Sequence, residues 1–319
     1  MAGTRALAVV GLDEVGRSWV RTFARAGLET SIWDPDPARI DEAWAWLKAD
    51  LKQARKRQGL RKAVARSQRE LVTRCETLDE LMAGAIYVQE SGEDRRASRK
   101  LFAELDERAG PRTVLATSSP RTDLARLVAD LPGRARCIIA HPVHLPHLIP
   151  AVEVCPGPDT EAAVVRRTMR LLTRVGQAPI HVRRFIPGLL ADRLRAALIR
   201  EAVAAVEAGV ADLPAVEDAV RQGIGLLYVL AGPLGAEHLG DDAGLRTHLE
   251  QNHEWYETLW RDPPKAAEFD PDMIDRLCKA MDGMTRGVQL GEQLAWRDEM
   301  VERLRRLKLA HPPGGFPED

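Results

Sequence analysis

The chain has 319 residues, 45% hydrophobic and 29% charged, with a formal net charge of -1. That composition belongs to a globular protein long enough for two domains and a substantial core. The near-neutral charge argues against a nucleic-acid or acidic-membrane binder, and the opening MAGTRALAVVGL has too short an apolar run for a signal peptide or membrane span. Residues 6–12 read as a strand covered on both faces, as in a parallel sheet. Helical spacing follows over 14–27 (Val15, Trp19, Val20, Phe23), stopping at Gly27. ETSIWD is a second strand ending at Asp34, and a long amphipathic helix runs from Pro37 to about Gly59. Short strands are expected at 86–90, 113–118 and 135–142, with helices near 94–108 and 121–130 between them. This alternation specifies an open α/β sheet. From Pro187 onward the pattern is helical: PGLLADRLRAALIREAVAAVEAGV is a long apolar helix, GIGLLYVLAGPLGAEHL looks buried, and polar helices cover 271–307. The tail HPPGGFPED is turn-forming and expected to fray.

The first strand, turn and helix carry most of a dinucleotide fingerprint. Gly11 and Gly16 stand where the first and third glycines of G-x-G-x-x-G belong, with Val15 between them on the helix. The first glycine permits a tight turn and the third lets helix and strand pack closely. The helix N-terminus favours an anion such as a pyrophosphate. Asp34 stands about twenty residues on, where a carboxylate can bond both ribose hydroxyls, which favours NAD over its 2′-phosphorylated form. The middle position is Asp13, whose charge repels a phosphate by roughly 4 kcal/mol at about 4 Å and an effective dielectric near 20. Two geometries relieve this: the side chain turns away, or it caps the following helix as an acceptor.

WDPDPARIDEAWAWL, YVQES, KLFAELD, VLATSS, HPVHLPHLIPAVEVCPGPDT and PGLLADRLRAALIREAVAAVEAGVA follow in that order, and GPLGAEHLG, HLEQ and LAWRDEMVERLRRL continue the pattern. Together they resemble the 3-hydroxyacyl-CoA dehydrogenase superfamily, in particular its short-substrate branch. The resemblance implies a Rossmann-like NAD-binding domain over 1–186 and an all-helical C-terminal domain over 187–319 that serves the substrate and a homodimer contact. It implies NAD-linked oxidation of a secondary alcohol, a 3-hydroxy acid or acyl derivative, by a His–Glu pair. His141 and Glu153 match that pair, the imidazole as base and the carboxyl as its orienter. Glu90, at the end of YVQE, is carried over as a cofactor contact. A histidine near a strand end has a pKa suited to general-base work, and a carboxyl partner fixes its tautomer.

Several positions depart from the resemblance. Pro120 stands where a substrate-binding serine is implied, so Ser118 or Ser119 would have to supply the hydroxyl. Asp192 replaces an implied asparagine and His144 another, and Leu227 stands where the branch carries an arginine. An ionised Asp192 cannot donate to a developing alkoxide but can pair with a cationic substrate group. Three readings follow: an active dehydrogenase of altered substrate, a non-catalytic relative with impaired NAD binding acting as a binding partner, or a non-redox acid/base enzyme using His141, His144 and Asp192.

Other features have plainer readings. His141, His144 and His147 spell H-x-x-H-x-x-H, but Pro142 and Pro146 break any helix, so no metal is assigned. The basic run around Arg55, Lys56 and Arg57 reads as a solvated helical face, with a carrier-linked substrate as a second use. Trp255, Tyr256 and Trp260 share one helix face and read as core or dimer contact. Cys75, Cys137, Cys155 and Cys278 form no C-x-x-C pair and read as buried thiols in a reducing, cytoplasmic setting.

Overall fold

The computed structural model describes residues 6–57, 59–92, 95–240, 242–262 and 269–311. The chain divides into two compact units, Met1–Arg193 and Leu194–Asp319. The first is built on an eight-stranded sheet: β1 (Ala6–Val10), β2 (Thr30–Trp33), β3 (Val72–Arg74), β4 (Ala85–Glu90), β5 (Val114–Thr117), β6 (Cys137–Pro142), β7 (Ala151–Pro156) and β8 (Ala178–His181). Their order is β3-β2-β1-β4-β5-β6-β7-β8. Every neighbouring pair is parallel except β6 and β7, which run antiparallel.

Strand alternation divides the core into two layers. Leu7 and Val9 of β1 join Ile138, Ala140, Val152 and Val154 on one face, while Ala8 and Val10 join Cys137, Ile139 and Cys155 on the other. The helices of this unit are α1 (Glu14–Arg25), α2 (Pro37–Arg57), α3 (Lys62–Glu70), α4 (Leu78–Met82), α5 (Arg95–Arg108), α6 (Leu124–Leu127) and α7 (Ala162–Arg174). α1, α2, α3 and α7 cover the first face through residues such as Trp19, Leu47, Ala65 and Leu172. α4, α5 and α6 cover the second through Leu81, Phe102 and Leu124. With helices on both faces, the inner strands are apolar on both sides, which is why β1 reads as an unbroken apolar run.

The expected elements of this unit appear with trimmed ends. α1 stops before Gly27 (φ 76°) and α2 before Gly59 (φ 69°), both in the left-handed conformation that ends a helix. The helix expected over 121–130 shrinks to α6, capped by Asp123. The basic run is divided between α2 and α3 rather than forming one helix.

The second unit is helical throughout its described residues. α8 (Ala191–Glu207) begins in the first unit and continues into the second. After it come α9 (Leu213–Asp218), a π-helical turn (Ala219–Ile224), α10 (Gly225–Leu230), α11 (Pro233–Leu239), α12 (Leu245–Arg261), α13 (Pro271–Thr285) and α14 (Leu290–Ala310). Three expectations are corrected here. The apolar stretch at α10 is exposed rather than buried, with Leu226 at 58% and Leu230 at 69% of full accessibility. Trp255 and Trp260 also lie exposed on α12, so they are not core. Cys278 is exposed, unlike the other three thiols. The frayed tail falls, from residue 312, outside the described residues. Among the described residues no helix is long and apolar enough to cross a membrane.

Candidate active site

The carboxyl ends of the parallel strands converge on the turn after β1. Gly11 sits at φ 81°, and a Cβ there would lie 1.7 Å from the Ser91 carbonyl oxygen just beyond β4. A Cβ on Gly16 would lie 1.9 Å from the Gly11 carbonyl oxygen. Both glycines are therefore required by close backbone packing, whatever binds above them. Val15, half-buried, packs its side chain onto the core beside them.

Asp13 takes the capping geometry. It is the N-cap of α1, and its Oδ1 accepts the Gly16 N–H at 2.7 Å and the Ser91 hydroxyl at 2.7 Å. The acid thus serves as an acceptor for an otherwise orphan helix donor. Asp34, buried at the end of β2, braces the same turn. Its Oδ2 accepts the Leu12 N–H at 2.7 Å and its Oδ1 the Asp36 N–H at 2.9 Å.

Glu90, at the end of β4, is 1% exposed. Its two oxygens accept hydroxyls from Ser98 at 2.8 Å and Thr117 at 2.6 Å. Burial pushes its carboxyl up to about 7, against the pull of those two donors and with a smaller upward push from the charge of Asp13. Two carboxyl groups therefore bound the cofactor turn, one of them titrating near neutrality.

The His–Glu pair comes from the sheet itself. His141 on β6 and Glu153 on β7 are directly opposed in the antiparallel register. Opposed residues share a sheet face and hold their Cβ atoms about 5 Å apart. Strand alternation points both toward the layer that also buries Leu189. His141 Nδ1 lies 2.8 Å from the Ser118 carbonyl oxygen. Only a protonated nitrogen can donate there, so the carbonyl holds Nδ1–H and makes Nε2 the basic nitrogen. Glu153 is fully buried. Its Oε1 accepts the N–H groups of Leu190 at 2.7 Å and Ala191 at 3.1 Å, while its Oε2 accepts no hydrogen bond among the described residues.

That contact fixes the start of α8. Gly188 at φ 79° and Leu189 at φ 48° turn the chain sharply, and Leu189 is buried in the sheet layer. A left-handed leucine costs about 1 kcal/mol or more and persists because burial and the Glu153 cap hold it. Asp192 follows in the first turn of α8, one residue beyond Ala191. Residues 187–193 thus belong with the sheet unit, which ends at Arg193.

Ser118 contributes in another way than its hydroxyl. Its Oγ, buried, receives Trp19 Nε1 at 3.2 Å and Gln89 Nε2 at 2.8 Å, and its N–H donates to the Glu90 carbonyl at 2.9 Å. The Ser119 hydroxyl pairs with Thr122 at 3.0 Å. Both hydroxyls expected to stand in at Pro120 are thus engaged with neighbouring side chains, and Ser118 meets His141 through its carbonyl. Trp19, Gln89 and Ser91, which position Ser118 and Asp13, escaped sequence reasoning because each reads as an ordinary core or turn residue.

The other two histidines diverge. His147 Nδ1 meets the Ser18 hydroxyl at 2.7 Å and its ring packs edge-on against Trp46, whereas His144 Nδ1 accepts the Leu145 N–H at 2.6 Å. Among the described residues no three His, Cys, Asp or Glu side chains form a metal-binding group.

The ten candidate residues gather as two neighbouring clusters of the sheet unit. Gly11, Asp13, Val15, Gly16 and Asp34 surround the turn, and Glu90 joins them through Ser91. His141, Glu153, Ser118 and Asp192 form the second, linked to the first by the Ser118–Glu90 backbone bond. The first cluster fits a dinucleotide. The N–H groups of Glu14 and Val15 have no upstream carbonyl within α1 and face the anion position of a helix N-terminus. Asp34 keeps an acceptor site on each oxygen after its two backbone bonds. Asp13 is held back in the turn by its own two bonds.

Fold and site together define a Rossmann-type NAD-binding protein with a helical second unit. The model of the 3-hydroxyacyl-CoA dehydrogenase NAD binding domain matches residues 6–185, and that of the 3-hydroxyacyl-CoA dehydrogenase C-terminal domain matches 188–288. The chain is 34% identical to the lambda-crystallin homolog of Bos taurus over 306 residues, 95% of each chain. It is 32% identical to the L-carnitine dehydrogenase of Streptomyces coelicolor, over 94% of each. Among solved structures it is similar to 5-formyl-3-hydroxy-2-methylpyridine 4-carboxylic acid 5-dehydrogenase, an NAD+ dependent dismutase (TM-score 0.76, 25% identity, 95% of this chain and 97% of that one). The chain belongs to the 3-hydroxyacyl-CoA dehydrogenase family.

Proposed function

We propose that the chain is an NAD-dependent dehydrogenase that oxidises the secondary hydroxyl of a small 3-hydroxy acid, or its acyl derivative, to a ketone. The observation that carries this is the cross-strand pairing of His141 with Glu153, with the imidazole tautomer set by the Ser118 carbonyl. NAD, when bound, supplies the acceptor for the two electrons and the carbon-bound hydrogen of the alcohol. Gly11, Gly16, Asp34 and the first turn of α1 would hold it, with Glu90 at the adjoining strand end.

His141 acts as the general base. Its Nε2 takes the hydroxyl proton, and the imidazolium so formed donates Nδ1–H to Ser118 and faces the Glu153 carboxyl. Glu153 stabilises that charge with Oε2 while Oε1 fastens the start of α8. Asp192, at the start of that helix, supplies negative charge rather than an amide donor. This supports a substrate with a cationic group, in line with the name of the Streptomyces coelicolor relative. L-carnitine is accordingly the first alcohol to test. Arg55 and Lys56, exposed near the end of α2, suit the phosphates of a carrier-linked substrate.

The homodimer belongs to the same proposal. Among the described hydrophobic residues of the helical unit only Val203, Ala236 and Met273 are buried, while Leu226, Leu230, Leu234, Trp255, Trp260 and Trp296 are more than half exposed. A second copy covering these faces would supply the missing core. A cytoplasmic location belongs to the same proposal.

The test is turnover with NAD on a panel of 3-hydroxy acids, L-carnitine and acyl thioesters. His141→Ala should lower kcat at least 10³-fold and leave NADH affinity within twofold. Retained turnover in that variant removes His141 from the mechanism. Absence of turnover across the panel in the wild type, with NADH bound, favours the non-catalytic reading.

A further inference from the structure

A cavity lies at the end of the sheet opposite the cofactor turn. Its volume is about 510 Å³, within the range of sites for small organic ligands. Its floor is apolar: Leu7, Ile86 and Val114 from the starts of β1, β4 and β5, and Leu171 from α7. At about 3.3 Å per residue, Leu7 lies roughly 13 Å along β1 from Gly11, so the cavity is separate from the cofactor turn.

Its rim is basic. Arg167, Arg170 and Arg174 recur at helical spacing along one side of α7, and Arg112 stands just before β5. None of the four takes part in an ion pair among the described residues. Arg167 donates from Nη1 to the Arg112 carbonyl at 2.7 Å, and Arg170 from Nε to the Arg166 carbonyl at 3.2 Å. The Arg167 Nε is buried and has no hydrogen-bond partner. A buried guanidinium N–H with no acceptor is costly unless an anion completes it. Four uncompensated cations close together also repel one another, and a shared anion relieves that. Ile86, 37% exposed at the start of an inner strand, marks the apolar floor as open to a ligand.

We propose that this cavity binds an anionic amphiphile, with a phosphate or carboxylate head on the arginines and an aliphatic body on the strand starts. Charge complementarity selects the head, and the Leu–Ile–Val floor selects the body. Guanidinium groups bind phosphate and carboxylate in the same forked geometry, so both heads are admitted.

The test uses dodecyl phosphate below its micelle-forming concentration, dodecanoate, dodecanol and inorganic phosphate, each titrated by calorimetry into the 319-residue chain. Dodecyl phosphate and dodecanoate should bind one per chain, dodecanol and inorganic phosphate at least tenfold more weakly. The relative affinities of the two binders distinguish a phosphate from a fatty-acid head. The variant Arg170→Ala/Arg174→Ala, altering exposed groups, should lose at least tenfold in affinity for dodecyl phosphate and keep the wild-type melting temperature and NADH affinity. Ile86→Glu, which places a negative charge on the floor, should lose as much. The proposal is overturned if dodecyl phosphate fails to bind, if inorganic phosphate binds equally well, if the variants bind as the wild type does, or if NADH competes.

Discussion

Asp13→Asn separates the two roles that the acid in the glycine turn combines. The amide keeps an Oδ1 acceptor for the Gly16 N–H and the Ser91 hydroxyl and removes the charge. Asparagine is as good an N-cap as aspartate, so stability should stay within about 0.5 kcal/mol. The charge, though turned back onto the Gly16 N–H and the Ser91 hydroxyl, stays beside the helix N-terminus where a pyrophosphate would bind. At about 4 Å its repulsion spans ~1 kcal/mol in water to ~4 kcal/mol at an effective dielectric of 20. Because Asp13 is only half-buried, screening holds the effect toward the lower part of that span. Removing about 1–2 kcal/mol should tighten NADH binding roughly 5- to 30-fold. Fluorescence titration of NADH at two salt concentrations measures this, and the gain should shrink at the higher one. Asp13→Gly should tighten binding as well, but with a lower melting temperature, because it also gives up both side-chain hydrogen bonds. Unchanged or weaker NADH binding by Asp13→Asn, in a protein that melts normally, would refute the repulsion and make the carboxylate a neutral or helpful part of the site.

Two further outcomes follow from the same turn. Glu90 holds its proton more tightly in the folded chain, where its pKa is about 7 against 4.5 for the free group. Stability should therefore fall as pH rises from about 4.5 to 7 and then level off, by up to about 3 kcal/mol. Glu90→Gln should abolish that slope in urea denaturation, and a difference from wild type that does not change with pH would contradict it. Gly16→Ala places a Cβ within 1.9 Å of a backbone oxygen. It should cost more than about 2 kcal/mol by the same measurement, since neither helix nor strand can yield without losing core contacts.

The first half of the sheet was legible because its signals are local. Five residues of unbroken apolar sequence mark β1, and proline and glycine bracket α2. β3, β7 and β8 were not foreseen. β3 has three residues, two of them exposed, and β8 is an exposed edge carrying Pro179. In β7 a buried glutamate interrupts the apolar run, and that same interruption is the residue opposite His141. The His141–Glu153 pair was visible only through resemblance, because no spacing rule states that two residues twelve apart will face one another across an antiparallel turn. Ser118 was chosen for its hydroxyl, yet the group that reaches His141 belongs to the backbone, which a side-chain reading cannot see. The exposed α10, expected to be buried, differs for another reason: an apolar pattern reports that a surface must be covered, not which chain covers it.

The two oxygens of Glu153 are unequally engaged. One ties down the entrance to α8, and the other accepts no hydrogen bond among the described residues. The glutamate that opposes the proposed base across the sheet is thus also the anchor of the strained turn at Leu189 and of the helix that leaves the sheet there. A substitution that shortens or removes this carboxyl therefore changes where α8 begins as well as what His141 faces across the sheet. Asp192, one residue past that anchor, is the first polar side chain of α8.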